Sequence, residues 1–108
     1  MAQDFERNTS NAVGTSAATL RTANSDDAIV GIMVANVATS QINVEVYIND
    51  GSNDIHLVKD APIPVGSSLQ VLDGGAKIVM QNGDALKVKS DTASSAEVGV
   101  SVVDAIST

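Results

Sequence analysis

Apolar and polar positions alternate most strictly over Ile42-Asn43-Val44-Glu45-Val46-Tyr47-Ile48-Asn49, where Ile42, Val44, Val46 and Ile48 share one face. The pattern predicts a strand with one wet side. Glu97-Val98-Gly99-Val100-Ser101-Val102-Val103 repeats it, with Val98, Val100 and Val102 inward. Between them, Ile55-His56-Leu57, Leu69-Gln70-Val71, Lys77-Ile78-Val79-Met80 and Leu86-Lys87-Val88-Lys89 keep the period of two. Each is bounded by Gly, Asn, Asp or Pro, and each is predicted as a strand. The run from Ala28 to Val37 is more continuously apolar, which fits a central strand covered on both faces. Periodicity alone would also allow a buried helix, but the β-branched content and Gly31 favour the strand. Thr15 to Thr22 alternates weakly and is rich in hydroxyls, which predicts an edge strand.

Turn chemistry divides the chain in the same places. Asn49-Asp50-Gly51-Ser52-Asn53 and Asp73-Gly74-Gly75 are Gly-containing hairpin loops, and Asn82-Gly83 is the strongest short-range hairpin signal. Pro62 and Pro64 flank Ile63 in a segment that cannot be a central strand, because proline has no N–H for the ladder; a crossover between sheets is expected there. About eight short strands with no long helical pattern describe an all-β fold, an antiparallel β-sandwich of jelly-roll or immunoglobulin-like type. Residues 1–12 read as a flexible N-terminal arm and residues 13–108 as a single sandwich domain, without internal repeat or linker.

Composition narrows the function. A chain of 108 residues holds one domain, and 44% hydrophobic with 18% charged residues excludes both a disordered tail and a membrane protein. With 6 Lys+Arg against 13 Asp+Glu the net charge is -7, the wrong sign for a nucleic acid partner. The opening Met1-Ala2-Gln3-Asp4-Phe5-Glu6-Arg7 lacks the basic and apolar regions of a secretory signal. No apolar stretch approaches the roughly 20 residues of a spanning helix, so no membrane partner is expected either. The product is expected to stay where it is made or to leave by lysis. Cysteine is absent, which removes disulfides, thiolate metal sites and a Cys nucleophile. One Phe, one Tyr and no Trp leave the core to Val, Ile, Leu and Ala. A small aliphatic core has a thin surplus over backbone entropy, a hint that contacts between copies add stability.

Candidate chemistry is sparse. His56 is the only histidine and points away from the aliphatic face of its strand, which makes it a solvent-facing or interface residue rather than a ligand or general base. Ser and Asp are plentiful, but no Gly-x-Ser-x-Gly elbow is present. Asn49 to Asp54 crowds oxygen side chains without the spacing or terminal Glu of a helical calcium loop, and reads as a polar hairpin tip. Asp26-Asp27 is open to two readings, a pair that binds or repels a cation and a pair of solvated turn residues, and is not assigned; Asn8-Thr9-Ser10 reads as a chance match to a glycosylation acceptor. Lys87 and Lys89 share a strand face and are expected to protect an exposed edge from pairing. No strand-to-helix glycine loop cradles a phosphate, so no catalytic residue, cofactor or metal is assigned. What remains is Asp4-Phe5-Glu6-Arg7, one large apolar group with charged flanks, the composition of a tethered anchor for a partner.

Three blocks of the chain resemble small β-sandwich virion proteins of tailed bacteriophages, especially those of marine cyanophages. Ala2-Gln3-Asp4-Phe5-Glu6-Arg7 with Val13-Gly14-Thr15-Ser16 resembles their opening, and Val34-Ala35-Asn36-Val37 followed by Ser40-Gln41-Ile42-Asn43-Val44 their middle. His56-Leu57-Val58-Lys59-Asp60-Ala61-Pro62-Ile63-Pro64-Val65-Gly66-Ser67-Ser68-Leu69 is similar to their most recognisable block. The resemblance implies a non-enzymatic structural role in the virion. The expected form is a capsid or tail decoration or cement subunit, made in the host cytoplasm. Its partners would be its own copies, in a homo-oligomer such as a trimer, and the major capsid or tail proteins. The alternative is a receptor-binding or adhesion module at the tail or fibre tip, with loops 49–54 and 91–95 and Tyr47 touching host saccharide.

Overall fold

The chain folds as one long hairpin that is rolled up on itself. In this computed structural model, which describes residues 4–72 and 77–104, the strands are β1 (Asp4–Val13), β2 (Ala18–Thr22), β3 (Asp27–Asn36), β4 (Ile42–Asn49), β5 (Asp54–Ile63), β6 (Ser68–Leu72), β7 (Ile78–Met80), β8 (Ala85–Ser90) and β9 (Ala96–Asp104). Early strands pair with late ones in nested order: β1 with β9, β2 with β8, β3 with β6, and β4 with β5 at the tip, all antiparallel. Rolling the hairpin adds β3 against β9 and β4 against β8. Two sheets result, β1-β9-β3-β6 with β7 also on β3, and β2-β8-β4-β5. This nesting is jelly-roll topology and decides between the two sandwich types the sequence allowed. Among the described residues no helix is long and apolar enough to cross a membrane.

The period-two pattern places the core. Val44 and Val46 of β4, Leu86 and Val88 of β8, Ile32 and Val34 of β3, and Val98, Val100 and Val102 of β9 interdigitate between the sheets, and all are buried. Ile42, Ile63 and Met80 close the same cluster. The outward positions of β4 and β8 carry a polar cross-strand ladder, with Glu45 opposite Lys89 and Tyr47 opposite Lys87.

Several expectations are corrected. Strand β3 is central but not covered on both faces: its outer side exposes Met33 and half-exposes Gly31 and Ala35. Lys87 and Lys89 sit on β8, an inner strand, so they do not guard an edge. Pro62 lies within β5, opposite Asn43, and is tolerated because β5 is the edge of its sheet. The crossover follows it, in a turn where Ser67 N–H donates to Pro64 O at 3.1 Å and Gly66 takes a φ of 74°, carrying the chain from one sheet to the other. Asn82-Gly83 forms a tight turn, closed by Asp84 N–H to Gln81 O at 2.9 Å, yet it joins β7 and β8 in different sheets instead of a hairpin. Asp73-Gly74-Gly75 lies outside the described residues, and the strands on either side of it run end to end along one edge of β3 in the same direction. The Asn49–Asn53 hairpin forms as expected, with Gly51 at φ 97°.

Candidate assembly surface

Residues 4–12, expected as part of an arm, form most of β1, the edge strand beside β9. The polar pattern that suggested an arm has a physical reason: the strand hangs at the rim of the sandwich and buries only Val13. Phe5, Arg7 and Thr9 stand opposite Val103, Ser101 and Gly99 and therefore face outward. Phe5 is 84% exposed, the most exposed large apolar side chain among the described residues. Glu6, Asn8 and Ser10 stand opposite Val102, Val100 and Val98 and point to the inner side. Asp4, Phe5, Glu6 and Arg7 are thus brought onto one edge, but Glu6 alone of the four has an ion pair among the described residues.

That ion pair reaches across the sandwich. A register shift in β2 between Thr19 and Arg21 turns both Leu20 and Arg21 inward, and Arg21 becomes the hub of a polar clasp. Its Nε donates to Asp27 Oδ2 at 2.8 Å, and its Nη1 to Glu6 Oε1 at 2.9 Å and Asn8 Oδ1 at 3.3 Å. Nη2 lies 3.3 Å from Asp104 Oδ1, which also accepts from Ser25 Oγ at 3.1 Å. Asp27 is fully buried and faces the Arg21 guanidinium, so of the two readings left open for Asp26-Asp27 the cation contact holds for Asp27 and the solvated turn does not. Desolvation alone would lower the Arg21 pKa, but its hydrogen bonds to Asp27 and Glu6 outweigh it and the net shift is upward. The Asp104 pKa is raised first by its hydrogen bond with Asp27, against a lowering from Ser25. Asp4, Glu6 and Asp104 bring carboxylate oxygens within 4.8 Å of one another, and Arg21 is the cation that stands against this group.

The sequence did not point to Arg21 or Asp104, and it left Asp27 unassigned. Only an Asp at the mouth of a buried apolar strand and an Arg beside an inward Leu could have signalled the pair. Farther along the same sheet, Thr9 of β1, Glu97 and Gly99 of β9 and Met33 and Ala35 of β3 line an open trough of about 690 Å³.

The other candidates have local roles. His56 lies on the outer face as expected, with its Nε2 2.9 Å from Glu45 Oε1 and its ring 5.1 Å from that of Tyr47. In the 49–54 loop, Asp50 Oδ1 accepts from Ser52 and Asn53 N–H groups and Asn49 Oδ1 accepts from Gly51 N–H, which are turn contacts. These backbone bonds lower the Asp50 pKa. In the 91–95 loop, Ser90 and Ser95 hydroxyls meet at 2.6 Å, and Asp91 Oδ1 accepts from Asn43 N–H at 3.1 Å.

No protein-family model matches the chain, and no curated protein does. Solved structures do. A chain from a study of Bacillus endospore appendages, described as a family of disulfide-linked pili, matches at TM-score 0.54 with 16% identity, over 98% of this chain and 88% of that one. Two structures of a pentameric capsid protein from metagenomic phage sequences match at TM-score 0.49 and 17% identity. They cover 90% of this chain and 60% and 62% of theirs. At these identities the likeness to the appendage chain is one of fold.

Proposed function

We propose that this chain is a non-enzymatic structural protein of a phage virion, a decoration or cement subunit that binds the capsid or tail surface as a homo-oligomer, such as a trimer. The observation that carries the reading is the edge strand β1, whose outer side presents Phe5 at 84% exposure with Arg7 beside it. An exposed aromatic on an open strand edge is a contact element, since strand edges left open invite pairing. The sequence resemblance to tailed-phage virion proteins supports the same reading, and the jelly roll is a fold used in shells. The similar chain comes from a study of disulfide-linked pili; this chain has no cysteine, so no disulfide joins its copies, and weak contacts gain strength from repetition on a particle. Asp4 to Arg7 supply the contact with the neighbour, with Phe5 filling an apolar recess and the charged flanks setting register.

The receptor-binding alternative is less well supported. Loops 49–54 and 91–95 spend much of their oxygen inventory on their own turns, and the Tyr47 ring lies against that of His56 in a tilted contact.

The test is deletion of residues 2–8 in the phage that encodes the chain, followed by quantitative mass spectrometry of purified particles. The chain is expected in many copies per particle in the wild type and depleted in the deletion variant, while the isolated variant still gives a sheet-type circular dichroism spectrum. Undiminished occupancy of the truncated chain would remove the role given to the edge strand, and absence of the full chain from particles would remove the structural role.

A further inference from the structure

Strand β1 is joined to its own domain in a peculiar way. None of residues 4–12 is buried; Asn8 and Ser10 are half-buried and the rest are exposed or nearly so. What holds residues 4–10 is an unbroken antiparallel ladder on β9, from Asp4 opposite Asp104 to Ser10 opposite Val98, plus the contacts of Glu6 and Asn8 with Arg21. The ladder then breaks. Asn11 and Ala12 have no partner in the register, and Ala12 sits at φ 55°, a left-handed conformation that strains any residue with a Cβ.

Behind the break the chain is anchored. Val13 is buried and its carbonyl accepts from Ser95 N–H at 2.9 Å; the carbonyl of Gly14 accepts from Ser90 N–H at 2.9 Å. Gly14 is also pressed against the backbone of Ala93 and Ser94, since a Cβ there would lie 3.0 Å from Ser94 N. A detachable strand, a strained two-residue joint and a fixed root therefore follow one another along the chain.

The seat that β1 occupies is built by other strands of the chain. The inner face of β9 is covered by the opposite sheet, and Arg21 keeps its contacts with Asp27 and Asp104 whichever strand brings Glu6 and Asn8. We propose that residues 4–10 are an exchangeable strand: in assemblies they swing out at Asn11–Ala12 and complete the five-stranded sheet of a second copy, with their Glu6 and Asn8 on that copy's Arg21. Exchange replaces each contact by the same contact, so its main cost is association, and relief of the strain at Ala12 favours the open joint. On a particle, where neighbours are held at high effective concentration, the association cost falls. The inference deepens the homo-oligomer part of the reading above and rests on it only for its setting.

The experiment uses two full-length chains, one with Arg7→Cys and one with Ser101→Cys. These positions face each other across the β1–β9 ladder, and the protein has no other cysteine. The two chains are unfolded, mixed at high concentration, refolded and oxidised. Exchange predicts a mixed disulfide dimer well above the level given by Arg7→Cys with a cysteine at the hairpin tip, Asn53→Cys. The yield should fall by roughly fivefold or more when Ala12→Gly removes the strain. It should rise with Ala12→Pro, whose fixed φ near −65° forbids the closed joint. A mixture that gives no more dimer than the hairpin-tip control, while the double variant in one chain closes its own disulfide, overturns strand exchange. Because this assay needs no particle, its failure leaves the virion role to stand or fall on the particle measurements.

Discussion

Replacing Arg21 by Ala should cost most of what a buried charge pair is worth when one partner is removed. Arg21 has a side chain 9% exposed, and the Asp27 side chain it holds at 2.8 Å is 0% exposed, so truncation leaves that carboxylate without its cation. Breaking a pair of this kind costs about 3–5 kcal/mol, largely from the stranded charge. The contact with Glu6, which is 41% exposed, adds at most about 1 kcal/mol. Against a domain stability of about 5–15 kcal/mol this is a large fraction. A slope of roughly 4–8 °C per kcal/mol converts it to a fall in Tm on the order of 20 °C. Urea unfolding followed by circular dichroism at neutral pH measures the loss directly. Two further results are required. The added change Asp27→Asn should restore part of the stability by removing the stranded charge. The cost of Arg21→Ala should also shrink at low pH, where protonated carboxyl groups no longer need the guanidinium as counter-charge. A loss below about 1 kcal/mol, or no recovery with Asp27→Asn, would mean the clasp behaves as a surface pair and would refute the reasoning.

Gly14→Ala should destabilise by about 1–3 kcal/mol, because the added Cβ meets backbone and not a movable side chain, and thermal unfolding reads the change. Asp104→Asn should alter the pH profile. The folded Asp104 pKa lies above its ordinary 3.8, so its contribution is fully present below 3.8 and is lost as pH rises through the raised value; the variant should gain on the wild type over that rise in pH-dependent urea titrations. Leu86→Ala, at a fully buried position between the sheets, should cost about 2–5 kcal/mol in urea unfolding. Phe5→Ala should leave the isolated chain within about 0.5 kcal/mol of wild type, since Phe5 packs on the outside, and should lower occupancy on particles counted by mass spectrometry.

The core strands were readable because they obey the period of two. The expected strand Ile42–Asn49 is β4 residue for residue, and Val98, Val100 and Val102 face inward as expected. A one-face pattern carries its own register, since a slip by one residue would put every Val in water. Strand β1 was not readable as a strand, because an edge strand that buries only Val13 has no apolar alternation to show. Pro62 hid the second half of β5 for a related reason: the missing N–H excludes a central strand, and only the sheet order reveals that β5 is an edge. Turn residues marked reversals but not which sheet came next, so Asn82-Gly83 was correct as a turn and wrong as a hairpin. The Arg21 clasp joins residues from Glu6 to Asp104, and neither spacing nor periodicity brings such distant positions together. Of the candidate site, Phe5 and its charged neighbours were visible as composition; the joint at Ala12 and the seat on β9 required the fold.

The role in a particle is tested most directly by a cryo-electron microscopy map of purified virions from the phage that encodes this chain, searched for this jelly roll. Many symmetric copies on the head or tail surface, with the β1 edge and Phe5 against a neighbouring subunit, are the predicted result. Density at a distal fibre tip alone, or none in the particle, would contradict the account.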